Sequence, residues 1–446
     1  MYSKLFRSFI FPLMELSQGT KIQKYLKWLE KTQWWKPEEL EELQNKRLRS
    51  LIRHAYKNVP YYHRLFKELK LRSDDIKTKD DLHKLPVLTK ETIRKNLSEL
   101  IAKNIPKSQR IEAHSSGSTG EPLKYYIDKQ SYSFGWAQTF RCWSWAGYKI
   151  GDPYVKITHP RTTYFKKIQD FLMNCTLIPA FEINENNIDV VVKKIIRTKP
   201  KIVRGFASSV YILAKLMKKE GLDAHVNAVM TTGDMLLPQY RELIESCFNC
   251  KVFDAYGGES TPVAYECEQH EGYHIASEGV IVELIKNDGT PCDKMEIGEI
   301  ILTNLTNYAM PLIRYKINDL ARLSEDNCSC GRGLPLIDSI EGRSTDVIIT
   351  PDGRLLTVHF FSTYLKLVKG LEQYQIIQEK PEKLLIKLVT GDKFSNDSLK
   401  YIEIETKKRL GEKMDIEIKI VNSIPPTRSG KRRYVISKIA ENWWRF

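Results

Sequence analysis

The sequence predicts an α/β protein in two parts: a large multi-layer N-terminal domain of parallel sheets with helices plus an antiparallel sub-barrel, and a small α+β C-terminal lid. Three observations along the 446-residue chain predict it. Over residues 125–260, apolar strand-like runs alternate with helical ones, the pattern of parallel strands joined by crossover helices. Beyond Gly279 strand-like runs follow one another across turns, as antiparallel strands do. From about residue 345 the pattern becomes a mixture of short strands and helices.

The first 110 residues form a helical lead-in. Leu40, Leu43, Leu48, Leu51 and Ile52 recur at helical spacing, and Asn58-Val-Pro-Tyr-Tyr breaks the run. Thr89, followed by Glu91 and Thr92, reads as a helix start. Phe6, Phe9, Ile10, Phe11, Leu13 and Met14 make an apolar N-terminus beside Lys4 and Arg7. A helix packed on the body is the preferred reading, and a membrane-interface contact is the alternative.

A strand is expected over 123–127, then strands at Lys201-Ile-Val-Arg-Gly, Ala228-Val-Met-Thr-Thr-Gly and Lys251-Val-Phe-Asp-Ala-Tyr, with helices over 208–220 and 238–247 between them. Val280-Ile-Val-Glu-Leu-Ile, Gly298-Glu-Ile-Ile-Leu-Thr and Leu312-Ile-Arg-Tyr read as the antiparallel strands. In the last unit, strands are expected near 346–350, 374–378, 383–388 and 415–421, and helices near 359–367 and 398–410.

Composition narrows the class. The chain is 42% apolar and 28% charged, as globular proteins are. No apolar run is long enough to span a bilayer, and the N-terminus has no signal-peptide pattern, so a cytoplasmic protein is expected. The net charge of +15 is scattered among 55 acidic residues, with no basic stripe interleaved with aromatics. That excludes a nucleic-acid reading and favours an enzyme that handles anions, with a contact at the inner face of an anionic membrane as the lesser expectation. Eight cysteines in such a chain suggest thiols or a metal site; Cys247/Cys250 and Cys328/Cys330 are closely spaced.

Residues 115–122 read Ser-Ser-Gly-Ser-Thr-Gly-Glu-Pro. Glycines let backbone N–H groups converge, and hydroxyls add donors, so the run can wrap a polyanion. A flexible linker would have the same composition. It is neither a P-loop, since no Gly-Lys-Ser/Thr follows, nor a dinucleotide fingerprint.

Four further segments decide between these readings: Thr231-Thr-Gly-Asp234, Tyr256-Gly-Gly-Glu259, Ile313-Arg-Tyr-Lys-Ile-Asn-Asp319, and Glu341-Gly-Arg343 together with Pro426-Thr-Arg-Ser-Gly-Lys431. In this order the chain resembles the AMP-forming adenylating superfamily, within it the phenylacetate–CoA-ligase-like branch, and within that the capsular polysaccharide biosynthesis type. The resemblance runs from about Val59 to Lys438.

It implies that Ser115, Ser116, Gly117, Ser118, Thr119 and Gly120 cradle the phosphates of ATP, with Gly233 and Asp234 also at the nucleotide. Tyr256 would stack on adenine, Gly257 would allow close approach, Asp319 would accept from the ribose hydroxyls, and Arg343 would meet phosphate or ribose. Glu259 would hold Mg²⁺, although relatives commonly read Tyr-Gly-X-Ser/Thr/Arg-Glu and this chain places Glu three residues after Tyr. Lys431 would bridge carboxylate and phosphate as charge develops. It rides on a lid (344–446) that rotates against an ATP- and acid-binding domain (1–343).

Cys267, Cys328 and Cys330, with His270 or His274, offer three thiolates and an imidazole, a closed tetrahedral set for structural Zn²⁺. The resemblance favours His274. Trp143, Trp145, His159, Phe206 and Tyr211 lie in segments that could line an acid pocket and are not assigned to it.

The expected function is therefore ATP-dependent activation of a carboxylic acid to an acyl-adenylate, then transfer of the acyl group to an acceptor. The resemblance suggests a sugar acid or amino acid in capsule or O-antigen polysaccharide biosynthesis. The alternatives are a CoA thioester ligase of an aromatic or aliphatic acid, with CoA as co-substrate, and a nucleotide-binding scaffold in a glycan assembly complex. The acid, the acceptor and the oligomeric state are not legible in the sequence.

Overall fold

The computed structural model describes residues 2–114, 123–158, 164–258, 261–344, 346–365, 367–411, 413–425 and 433–440. Among these, eleven strands form one sheet that changes character halfway. Cys175–Pro179, Tyr154–Thr158, Ile202–Phe206, Ala228–Thr232 and Lys251–Gly258 lie side by side and parallel. The helices Tyr164–Leu172, Ile188–Thr198, Ala207–Lys219 and Pro238–Phe248 are their crossovers. From Lys251–Gly258 onward every pairing is antiparallel, through Thr261–Glu266, Tyr273–Ile275, Leu336–Arg343, Tyr315–Leu323, Ile297–Asn304 and Val280–Ile285.

Strands buried on both faces by crossover helices should read as continuous apolar runs, and Ile202 and Val203 are buried side by side, as are Val229 and Met230. The antiparallel half curls. Three strands separate Lys251–Gly258 from Tyr315–Leu323 in the sheet, which would place them about 19 Å apart if it were flat. A side-chain hydrogen bond of 2.8 Å between Tyr256 and Asp319 nevertheless joins them.

The lead-in forms as its periodicity predicts. The helix Pro37–Asn58 buries Leu40, Leu48, Leu51, Ile52 and Ala55 along one stripe, starts with Pro at its first turn, and ends before Pro60 opens the helix Pro60–Glu68. Thr89 caps Lys90–Lys95, its hydroxyl accepting from the Thr92 N–H at 3.2 Å. At the N-terminus, Phe6 and Phe11 are buried against Phe134, Phe140 and neighbours, so the helix does pack on the body. Phe9 and Leu13 remain exposed.

The strand expected from Leu312 begins instead at Tyr315. Arg314 takes a left-handed φ of 53°, turning its guanidinium to donate to the Leu85 carbonyl at 2.6 Å and to pair with Glu283 at 3.1 Å. The Leu88 N–H then donates to the Arg314 carbonyl at 2.8 Å, and the Lys316 N–H to that of Leu88 at 3.0 Å, adding the segment before Thr89 to this strand's edge.

A second, four-stranded sheet orders Asp415–Ile420, Lys383–Thr390, Leu371–Lys380 and Val435–Ser437, with the helices Val358–Leu365 and Asn396–Leu410 packed on it. It is the small α+β unit expected at the C-terminus. Among the described residues no helix is long and apolar enough to cross a membrane.

Candidate functional site

The site forms where the parallel half of the sheet gives way to the antiparallel half. Lys251–Gly258 carries Tyr256 out at its end, and Gly257 follows at φ 111°. Asp319 and Arg343 face each other in the register of Tyr315–Leu323 with Leu336–Arg343. The Asp319 carboxylate accepts from Arg343 Nε at 3.0 Å through Oδ1 and from the Tyr256 hydroxyl at 2.8 Å through Oδ2. A carboxylate offers about four lone-pair sites, so roughly two remain for a ligand.

Burial, and then the Asp319 charge, push the Tyr256 phenol well above its ordinary range. Tyr256 therefore stays a neutral donor at any physiological pH. The Asp319 charge raises Arg343 against the opposing effect of burial.

Lys90 belongs to this neighbourhood. Burial, followed by the positive charge of Arg343, lowers its pKa, while Asp319 opposes the shift. No sequence pattern links Lys90 to Asp319; the Leu88 bridge to the Tyr315 strand brings them together.

Gly233 sits at φ 84°, where a Cβ would lie 2.6 Å from the Phe206 ring, so only glycine fits. Asp234 accepts from the Ser208 N–H at 3.2 Å, capping the N-terminus of Ala207–Lys219. The motif Thr231-Thr-Gly-Asp234 thus fixes a helix start at the carboxyl ends of the parallel strands. Ser115 to Gly120, Glu259, Lys431 and His159 lie outside the described residues. Of the unassigned aromatics, Trp143 is buried in the core and Tyr211 stacks on Tyr240 with ring centroids 3.7 Å apart.

A second constellation comes together at the far side of the antiparallel strands. One ligand atom from each of Cys267, His274, Cys328 and Cys330 lies within 4.8 Å of all the others. Cys267 Sγ is 3.5 Å from Cys328 Sγ, and Cys330 Sγ is 3.3 Å from His274 Nε2. Tetrahedral zinc at ordinary bond lengths separates two sulfur ligands by about 3.8 Å, so this set fits the ion.

The surroundings suit that role. His274 Nδ1 faces the Leu334 carbonyl at 3.3 Å, an arrangement that leaves Nε2 for the metal. Burial lowers His274 to about 4, keeping its imidazole neutral. Backbone N–H groups of Gln269 and Arg332 point at Cys267 and Cys330, each at 3.4 Å. His270 turns away toward Glu266, at 3.5 Å. The knuckle is also clamped to the lead-in. Gly333 N–H donates to the Gln33 carbonyl at 3.0 Å, and the Arg332 guanidinium lies 4.9 Å from the Trp34 ring and 4.5 Å from the Trp145 ring.

Comparison with known proteins agrees with the fold. Residues 348–438 match the family described as the CapK C-terminal domain. Protein CapK of Staphylococcus aureus is 25% identical over 90% of this chain and 90% of its own length. Phenylacetate-coenzyme A ligase of Pseudomonas putida is 27% identical over 76% of this chain and 78% of its own. Among solved structures, a 2-hydroxyisobutyryl-CoA ligase in its postadenylation state superposes with a TM-score of 0.73 at 18% identity, covering 89% of each chain. The same ligase in its thioesterification state gives 0.61 at 19% identity, covering 90% of each.

These matches place the chain among the AMP-forming ligases. Within that class it is similar to phenylacetate-coenzyme A ligases over about three quarters of its length and to CapK over most of it.

Proposed function

We propose that the protein activates a carboxylic acid with ATP and then passes the acyl group to an acceptor. In the first step a carboxylate oxygen attacks the α-phosphorus, the bond to pyrophosphate breaks, and the acyl-adenylate forms. Both reactants are anions, so the site must supply cations and alignment.

The observation that carries the reading is the Asp319 carboxylate, held by Tyr256 and Arg343 with acceptor capacity to spare. Such a group suits the paired hydroxyls of ribose. Tyr256 would give its ring to adenine, and Arg343 and Lys90 would add positive charge near the phosphates. Ser115 to Gly120 would wrap the phosphates, with Gly233 and Asp234 shaping the adjoining wall. Lys431, on a C-terminal unit beginning at residue 344, would approach the reacting carboxylate. Mg²⁺ on Glu259 would neutralise phosphate charge. The better superposition on a postadenylation structure supports a lid docked on the adenylating side.

Similarity to CapK supports a place in capsule or O-antigen polysaccharide assembly, with a sugar acid or amino acid as the substrate class. Similarity to phenylacetate-coenzyme A ligases favours a second reading, in which the acceptor is the thiol of CoA. In both readings Cys267, His274, Cys328 and Cys330 hold a structural zinc ion. Pyrophosphate exchange into ATP, run across a panel of sugar, amino and aromatic acids, tests the activity. Absence of exchange with every acid, while ATP still binds, would sink it. Discharge of the adenylate by CoA separates the two acceptors.

A further inference from the structure

The N-terminal helical segment, residues 2–18, presents an apolar stripe that stays exposed among the described residues. Leu5 is 51% exposed, Phe9 63%, Leu13 66% and Leu16 79%, and these positions recur at intervals of three and four. Phe6 and Phe11 anchor the segment to the core, so the stripe is fixed outward rather than free to turn inward. The Tyr2 hydroxyl donates to the Leu172 carbonyl at 2.7 Å, which brings the end of the helix Tyr164–Leu172 alongside, and there Phe171 is 79% exposed. An apolar surface this continuous marks an interaction site.

Charge selects the partner. Residues 2–28 contain Lys4, Arg7, Lys21, Lys24 and Lys27 but a single acid, Glu15. That carboxylate accepts from the Ile22 and Gln23 N–H groups, at the start of the helix Ile22–Thr32. Arg7 is held at Asp152, 3.6 Å away, whereas Lys4, Lys21, Lys24 and Lys27 are exposed. A second copy of the chain would bring the same basic rim against itself. A bilayer of anionic lipid complements both features, accepting the stripe at the headgroup boundary and the lysines at its negative surface.

We propose that residues 2–18, with Phe171 beside them, dock the protein onto an anionic membrane surface. The apolar side chains enter the interface, the lysines meet the headgroups, and the body with its ligase site stays in water. This is attachment to one face, not insertion across the bilayer.

The test is co-sedimentation of the full-length protein with vesicles of phosphatidylcholine containing phosphatidylglycerol, and with vesicles of phosphatidylcholine alone. The expected result is partitioning onto the phosphatidylglycerol vesicles that weakens with added salt and falls at least about tenfold in a Phe9→Ser, Leu13→Ser, Leu16→Ser variant. A Lys21→Glu, Lys24→Glu, Lys27→Glu variant should lose only the preference for phosphatidylglycerol. All six side chains are exposed, so thermal melting of both variants should match the parent. The proposal is overturned if the parent ignores the phosphatidylglycerol vesicles, or if the serine variant partitions as well as the parent. It is equally overturned if light scattering shows a dimer that the serine variant dissolves while vesicles go unbound, since the stripe then joins two copies.

Discussion

The hydroxyl of Tyr434 meets the hydroxyl of Tyr240 across the seam between the large sheet and the C-terminal unit. Tyr240 is in turn stacked on Tyr211, and a 3.0 Å ion pair between Lys215 and Glu372 lies across the same seam. The described chain resumes at Arg433, shortly after Lys431 in sequence, and Arg433 pairs with Asp346. The tyrosine contact therefore fixes the chain where it resumes. Tyr434→Phe keeps the ring and removes the hydroxyl. Pyrophosphate exchange should slow by about tenfold, the worth of one net hydrogen bond, while transfer from preformed adenylate is unaffected. An equal loss in both half-reactions would mean that Tyr434 does not bias the docked state.

Asp319→Asn should lower kcat/KM for ATP by about a hundredfold, because it removes the charge from an acceptor with charge-assisted partners and strands Arg343. Tyr256→Phe should cost about tenfold and leave Arg343 paired. Steady-state kinetics over ATP concentration check both, and an Asp319→Asn variant with parental kinetics would remove Asp319 from the nucleotide site.

If Lys431 bridges carboxylate and phosphate as proposed, Lys431→Ala should reduce the adenylation rate by about a hundredfold or more while ATP binding and thermal stability persist. Single-turnover adenylate formation is the measurement. A parental rate would favour the nucleotide-binding scaffold over the enzyme.

Purified protein should contain about one equivalent of zinc by mass spectrometry. Cys328→Ser, Cys330→Ser should lose it and melt at least about 5 °C lower. Less than half an equivalent in the parent would contradict the assignment.

Burial, followed by the neighbouring Glu266 carboxylate, pushes Asp254 up to about 7. Its hydrogen bonds from Thr231 and Tyr273 pull the other way. In the unfolded chain the same group titrates near 4. The native state thus binds the extra proton between these values, and this group's contribution falls as pH rises from about 4 to about 7. Asp254→Asn should flatten that part of the stability profile. Urea midpoints across the range would show it, and an unchanged slope would assign the dependence elsewhere.

Much of the fold was legible because period and punctuation agree with tertiary demand. Thr89 caps its helix, Pro60 restarts one, and adjacent buried apolar pairs such as Ile202-Val203 and Val229-Met230 mark the parallel strands. The Arg314 turn was not legible, since its left-handed backbone serves a carbonyl at Leu85, far away in sequence. The same limit hid Lys90, which reaches the site through strand pairing rather than a motif. His274 could be preferred over His270 by resemblance, but only the fold shows His270 turned toward Glu266. At the apolar N-terminus, periodicity alone does not say which side chains turn inward; the fold buries Phe6 and Phe11 and leaves Phe9 and Leu13 exposed.

The clamp between Gly333 and the chain near Gln33 has a consequence for biosynthesis. A ribosome must have released residue 333 before it can close, so the first helices emerge long before their partner. Until then, Trp34 lacks Arg332 and the knuckle lacks Cys328 and Cys330. Capture of the proposed zinc ion would wait for Cys330, so the clamp joins segments made well apart in time.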